Sequence, residues 1–168
     1  HAALAPAGHT PGAAPVIRDW QGARAVVSGD YKRAGDPTCV PFEVVKCDLF
    51  ITEATFGLPV FRHEDAGIEA RRLVASLAAT PERTHLLGTY GLGKCQRMIS
   101  LIRQAGYDRP IWLNGALQGL CDYYQAQGIA LGDLRPVAGE DKQTLKGELV
   151  MCPPSALADR WSRRMADP

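Results

Sequence analysis

Two hydrophobic patterns divide the chain. Up to about residue 62, the apolar residues form short, β-branched runs bounded by turn residues, which predicts strands. Beyond that point, apolar residues recur at three- and four-residue spacing between further short runs, which predicts helices alternating with strands. We place the boundary within Pro59 to Glu64 and divide the chain into residues 1–62 and 63–168.

The first part contains two brief apolar runs, Arg24–Val27 and Asp48–Thr52, which we interpret as buried strands. A third strand is expected at Val16–Trp20, joined to the first run by a hairpin turn at Gln21-Gly22. The stretch from His1 to Pro15 is rich in Ala, Pro and Gly and has little periodicity, so it is predicted to be a loop.

The second part predicts an α/β fold with a small parallel sheet, because strand and helix patterns alternate along it. The expected strands are Arg83–Leu87, Pro110–Leu113 and Glu148–Cys152, and the expected helices are Glu64–Ala79, Lys94–Ala105, Ala116–Gln127 and Pro154–Met165.

The composition gives more information about the cellular compartment than about the function. A net charge of +1 and a pI near 7.8 give no overall electrostatic signal for nucleic acid or membrane. The five cysteines are scattered and odd in number, so neither a disulfide framework nor a zinc ribbon is indicated. A reducing, cytoplasmic location fits best. No apolar run is long enough to span a bilayer, so no membrane partner is expected.

The candidate chemistry lies where the predicted strands end. Asp30 and Glu53 each follow one of the two apolar runs, and the carboxyl ends of adjacent strands in an open α/β sheet converge on one crevice. The hairpin would also place His9 and Asp30 at its two open ends, facing the same way. The alternative is ordinary structural use, with Asp30 as a turn residue and Glu53 as a helix cap.

Two groups of basic residues are candidates for phosphate contacts. Lys32 and Arg33 follow Asp30 after one intervening residue, Tyr31, and the alternative for both is a solvated turn. The segment Gly88 to Lys94 satisfies G-x-x-x-x-G-K, so a nucleotide-binding protein remains an alternative function. Against it, Cys95 occupies the place of the magnesium-binding Ser or Thr. A weaker form is that Lys94 and the helix start hold a nucleic-acid phosphate.

Several segments resemble the ligase-associated DNA exonucleases, a bacterial branch of the metallo-β-lactamase nucleases that carry a β-CASP cap. They are AGH (7–9), SGDYKR (28–33), DPTCVPFE (36–43) and FITEATFGLPVFR (50–62), with GLGKCQRMI (91–99) and LNGAL (113–117) resembling the cap.

The resemblance implies a fold and a set of roles. Residues 1–62 would be the C-terminal part of the metallo-β-lactamase half, and residues 63–168 a Rossmann-like portion of the β-CASP cap. His9 would be a metal ligand, Asp30 a ligand bridging two zinc ions, and Glu53 an acidic residue that orients a catalytic histidine. The parent would be a zinc-dependent DNA exonuclease of DNA repair, whose partners are DNA and, by resemblance, an ATP-dependent DNA ligase and a helicase.

The sequence also departs from the family pattern. The HxHxDH motif and the late histidine-rich segment are absent, and His63 and His85 match neither. A catalytic zinc needs about three protein ligands, so we expect an internal fragment that is inactive alone. An RNA-processing β-CASP ribonuclease and a non-catalytic DNA-binding scaffold remain alternatives.

Overall fold

The structure, a computed structural model, describes residues 1–62 and 64–165. His63, which the sequence places outside both histidine motifs, lies outside the described residues. The chain forms two compact units, His1–His63 and Glu64–Pro168. We call them unit 1 and unit 2.

Unit 1 is built on a four-stranded mixed sheet. Its strands are β1 (Ala2–Leu4), β2 (Val16–Trp20), β3 (Ala23–Val27) and β4 (Leu49–Ile51), in that spatial order. The first two pairings are antiparallel and β3 pairs with β4 in parallel. The predicted hairpin is confirmed, since Trp20 pairs with Ala23 across the turn. The prediction that residues 1–15 are all loop is wrong for β1, whose three residues are too few to show alternation.

Within the part of the chain that the structure describes, one face of this sheet is better covered than the other. On that face Ile17, Val26 and Phe50 lie side by side, and the Tyr31 ring sits 5.9 Å from the Phe50 ring. On the other face, four apolar side chains form a row across the sheet and are 45–69% exposed: Leu4, Val16, Val27 and Ile51. The expectation of fully buried strands is therefore wrong. A continuous apolar run predicts a strand that is covered on both faces of its sheet. Here the segment from Tyr31 to Phe42 packs on one face of the sheet.

An ion pair holds the covering segment in shape. The Asp36 carboxylate, 2% exposed, accepts hydrogen bonds from the Thr38 N–H (2.9 Å) and hydroxyl (2.6 Å) and pairs with the Lys32 ammonium. Burial alone would raise the pKa of Asp36, but the hydrogen bonds from Lys32 and Thr38 outweigh burial and lower that pKa. The carboxylate therefore stays charged inside the turn.

Unit 2 contains a parallel sheet, as predicted. Its strands are β5 (His85–Gly88), β6 (Ile111–Leu113), β7 (Leu134–Pro136) and β8 (Leu149–Cys152), in the spatial order β5-β8-β6-β7. Every pairing is parallel. The sequence did not predict β7, because Leu-Arg-Pro carries no alternation. A proline is tolerated there because β7 is an edge strand.

The helices of unit 2 are α1 (Ala66–Ala79), α2 (Lys94–Gln104), α3 (Gly115–Ala126) and α4 (Pro154–Leu157), followed by a 3₁₀ turn at Ser162–Arg164. The first three agree with the predictions to within two residues. The predicted helix Pro154–Met165 is wrong beyond Leu157. The Asp159 carbonyl accepts hydrogen bonds from both the N–H and the hydroxyl of Ser162, and such local bonding competes with a continuing helix.

The core of unit 2 follows the two-residue alternation of its strands. Leu113, Leu149 and Met151 pack with the inward faces of α1, α2 and α3. Trp112 and Val150 point to the opposite face, where Trp161 packs against them. Among the residues that the structure describes, no helix combines the length and apolar character needed to cross a membrane.

We expect Gly147→Ala to destabilise unit 2 strongly. Gly147 has φ +74° and an added Cβ would overlap the Pro81 carbonyl oxygen, so the backbone before β5 or β8 must shift. Urea unfolding followed by circular dichroism should show a loss of roughly 3 kcal/mol or more. Gly139→Ala is the matched control, because Gly139 has φ +90° but open space around it. Gly139→Ala should lower the unfolding free energy by only about 1 kcal/mol. Equal losses in the two variants would contradict the overlap of the added Cβ with the Pro81 carbonyl oxygen.

We expect Asp36→Asn to lower the unfolding free energy at pH 7 by about 2 kcal/mol, because Lys32 loses its buried partner. The pKa of Asp36 is lowered in the folded state, so its stabilisation is complete above the unfolded pKa of about 3.9 and is lost as the pH falls through the folded value. Urea titrations at neutral and acid pH should show that the variant lacks this acid-sensitive part. Asp122→Asn, at an exposed aspartate on α3, should change neither quantity.

Candidate functional site

Strand direction brings three candidate residues to one end of the unit 1 sheet. β1, β3 and β4 all run the same way, because β1 and β3 are each antiparallel to β2 and β4 is parallel to β3. His9 follows β1, Asp30 follows β3 and Glu53 follows β4. All three therefore leave the sheet at its shared carboxyl end, where a ligand crevice is expected.

The loop that carries His9 is fixed by close backbone contact. Ala7 is buried, and its carbonyl accepts a hydrogen bond of 3.0 Å from the Lys32 N–H. Gly8 has φ +67°, and a Cβ there would lie 2.5 Å from the Lys32 carbonyl oxygen and 2.8 Å from the Phe42 nitrogen. Only glycine fits this position. The imidazole of the next residue, His9, is thus presented from a rigid support.

The structure brings His9 and Asp30 together. The distance between His9 Nε2 and Asp30 Oδ2 is 3.8 Å, with both side chains partly open to solvent. Two ligands of one tetrahedral zinc ion lie about 3.3 Å apart when each metal bond is about 2.05 Å. The observed separation is close to that value, so a small adjustment would let both atoms bind one ion.

Glu53 lies within electrostatic range of His9. Its Oε2 accepts a 2.7 Å hydrogen bond from the Thr55 N–H. The pKa of Glu53 is lowered by this backbone hydrogen bond, then by a hydrogen bond from the Thr55 hydroxyl, and further by the charge of His9. The carboxylate is therefore ionised at neutral pH. The alternative use of Glu53 as a helix cap does not hold, since no helix begins within residues 52–62.

His9 and Asp30 carry donor atoms of the types that zinc binds. His9 and Asp30 are suitable donors, since neutral imidazole and carboxylate oxygen are normal zinc ligands. A catalytic zinc takes about three protein ligands. Within residues 1–62 and 64–165, no group of three or more His, Cys, Asp or Glu side chains is arranged to hold a metal. The pair therefore fits as a partial ligand set.

The two basic residues after Asp30 have different surroundings. The Lys32 ammonium pairs with the buried Asp36 and its side chain is only 24% exposed, so the alternative of a solvated turn does not hold for it. Arg33 is exposed. The sequence pattern did not identify the role of Asp36 in holding Lys32. The only signal was the spacing of Asp36 and Thr38, typical of a side chain that binds a backbone N–H two residues later.

Lys94 begins α2 in unit 2, and its ammonium lies 5.2 Å from the centre of the Tyr90 ring. The N–H groups of Lys94 and Cys95 already donate to the carbonyls of Leu92 and Tyr90. A nucleotide-binding loop needs such N–H groups to point at phosphate. These internal bonds weigh against the nucleotide-binding alternative.

Comparison with known proteins gives relatives of two kinds. A probable DNA ligase of Opitutus terrae is 26% identical over 165 residues, covering 96% of this chain and 16% of the ligase. Endoribonuclease ysh1 of Aspergillus fumigatus is 32% identical over 106 residues, covering 58% of this chain and 12% of its own length. Cleavage and polyadenylation specificity factor subunit 3 of Dictyostelium discoideum is 30% identical over 100 residues, covering 57% and 13%.

No family model matches the chain. The chain spans less than a fifth of the length of these three relatives. These relatives confirm the predicted resemblance to the ligase-associated branch of the metallo-β-lactamase and β-CASP nucleases.

Proposed function

We propose that this chain is part of a zinc-dependent nuclease that hydrolyses DNA phosphodiester bonds as an exonuclease, with His9 and Asp30 as metal ligands. The observation that carries the proposal is the 3.8 Å separation of His9 Nε2 and Asp30 Oδ2 at the carboxyl end of the unit 1 sheet. The mixed sheet of unit 1 would be part of the metallo-β-lactamase half. The parallel sheet of unit 2 would be part of the β-CASP cap.

Each residue has a distinct role in this proposal. Zinc, when bound as two ions, supplies an activated water and neutralises charge on the departing phosphate oxygen. His9 would hold the metal through Nε2, and Asp30 would hold it through its carboxylate. Glu53, kept ionised by Thr55, would accept a hydrogen bond from the histidine that carries the proton. Lys32 would act by holding the loop of His9 in place.

The choice of DNA as substrate rests on the probable DNA ligase among the relatives, which matches almost the whole chain. An ATP-dependent DNA ligase and a helicase are the proposed protein partners, and the scattered cysteines fit a cytoplasmic location. The second candidate is an RNA-processing ribonuclease, favoured by the relatives named as endoribonucleases. Parallel assays with DNA and RNA of the same sequence distinguish the two.

We expect the 168-residue chain to bind zinc through His9 and Asp30. His9→Ala and Asp30→Asn should each weaken zinc binding by about tenfold or more, because each removes one of two ligands. Isothermal titration with zinc chloride measures the affinity directly and does not depend on activity.

His85→Ala is the matched control, since His85 is in unit 2 and its Nε2 faces the Ser76 hydroxyl at 3.1 Å. It should leave zinc affinity unchanged. Equal affinity in the parent chain and both site variants would rule out the ligand assignment. Zinc-dependent DNA hydrolysis by the 168 residues alone would contradict the view that two ligands are too few.

We expect Arg33→Ala to weaken binding to DNA of every sequence and to reduce the salt dependence, log Kd against log salt, by about 1. The physical reason is the loss of one phosphate contact beside Asp30. Fluorescence anisotropy over a range of salt concentrations measures the slope. Arg18→Ala, at an exposed arginine in the middle of β2, is the control and should keep the parent slope. An unchanged slope in Arg33→Ala would exclude Arg33 from the DNA interface.

A further inference from the structure

The carboxyl end of the unit 2 sheet has the topology of a binding crevice. β5 continues into α2, whose Cys95 and Ile99 pack on one face of the sheet. The neighbouring strand β8 continues into α4 on the opposite face, where a Cβ placed on Gly88 would lie 2.6 Å from Leu157. When adjacent parallel strands connect to opposite faces, a crevice opens at their carboxyl ends, and ligands commonly bind there.

Tyr90 lies two residues beyond β5, at this end of the sheet, on a loop that is held by hydrogen bonds. Its ring is 65% exposed. Its carbonyl accepts a 3.1 Å hydrogen bond from the Cys95 N–H, and the next carbonyl, that of Gly91, accepts one of 2.9 Å from the Gln96 side chain. Gln96 is itself fully buried. The backbone under the ring is therefore fixed, and placing an exposed aromatic side chain on such a loop is typical of a contact surface.

The Lys94 ammonium lies over one face of this ring, 5.2 Å from its centre, so a base would stack on the other face. The N–H groups of Lys94 and Cys95 are already bonded, so the side chains of Tyr90 and Lys94 are the groups that would contact a ligand. A flat aromatic ring flanked by a cation suits one unpaired nucleotide. The base stacks on the ring, and the adjoining phosphate pairs with the ammonium.

We propose that Tyr90 and Lys94 form a stacking site for an unpaired nucleotide at the carboxyl end of the unit 2 sheet, so that the nuclease takes single-stranded nucleic acid. This inference rests on the proposed function and adds to it the strand state of the substrate. Stacking tolerates every base, so the site gives no sequence preference.

The test compares two probes that carry the same phosphates. One is a fluorescein-labelled oligothymidylate of about 12 nucleotides, and the other is an abasic oligomer of the same length. Anisotropy titration of the 168-residue chain should show that Tyr90→Ala weakens binding of the oligothymidylate by about tenfold and leaves binding of the abasic probe unchanged. Tyr90→Phe should bind both as the parent does. Lys94→Ala should weaken both probes equally.

Tyr123→Ala is the matched control, because Tyr123 is a 52% exposed tyrosine on α3 of the same unit. It should bind both probes as the parent does. If the parent binds and Tyr90→Ala matches it on both probes, the stacking site is wrong and the proposed function is untouched. If the parent binds neither probe, nucleic-acid binding itself fails, and the proposed function fails with it. Equal melting temperatures confirm that the variants fold.

Discussion

The pairing of β3 is the constraint on which the candidate site depends. β3 is antiparallel to β2 and parallel to β4, so the chain segments after β1, β3 and β4 all leave the sheet at one end. If β4 ran the other way, Glu53 would leave from the opposite end, about 10 Å away for a strand of three residues. The direction of one short strand thus decides whether the carboxylates and the imidazole share a crevice. Val26, at the centre of this pairing, is buried between Ile17 and Phe50.

Lys32 connects the two loops that carry the proposed ligands. Its backbone N–H binds the Ala7 carbonyl, its own carbonyl lies too close to Gly8 for any larger residue, and its ammonium is held by Asp36. Position 32 therefore fixes the loop of His9 to the segment that follows Asp30. A basic residue two positions after a candidate metal ligand suggests a phosphate contact when only the sequence is considered. In this structure the Lys32 ammonium instead pairs with the buried Asp36 carboxylate, so the lysine stabilises the loops that carry His9 and Asp30.

Prediction succeeded where the local signal is strong, and it failed where an element is short, where a local hydrogen bond ends a helix or where the cause is tertiary. The hairpin follows from a two-residue turn between β-branched runs, and its geometry placed His9 and Asp30 together in advance. β1 and β7, at three residues each, carry no detectable period. Two features depend on which segment covers which surface: the exposure of β4 and the burial of the Asp36 side chain. The spacing of residue types along the sequence does not predict such cover. The early end of α4 is a local effect that was overlooked, since Asp159 and Ser162 supply competing hydrogen bonds.

In unit 2, a sequence motif is weaker evidence for a phosphate-binding loop than the hydrogen bonds of the loop backbone. Gly88 to Lys94 has the spacing of a phosphate-binding loop and lies between a strand and a helix, as that motif requires. A phosphate cradle, however, consists of N–H groups with no internal partner. Those of Lys94 and Cys95 are donated within the loop. The two strands nearest to β5 also end without an acidic residue, since β8 ends at Cys152 and β6 ends at Leu113. A magnesium ion bound beside this loop would therefore lack its usual carboxylate ligand. This loop leaves the side chains of Tyr90 and Leu92 exposed, and the Tyr90 ring suits a flat base better than a nucleotide triphosphate.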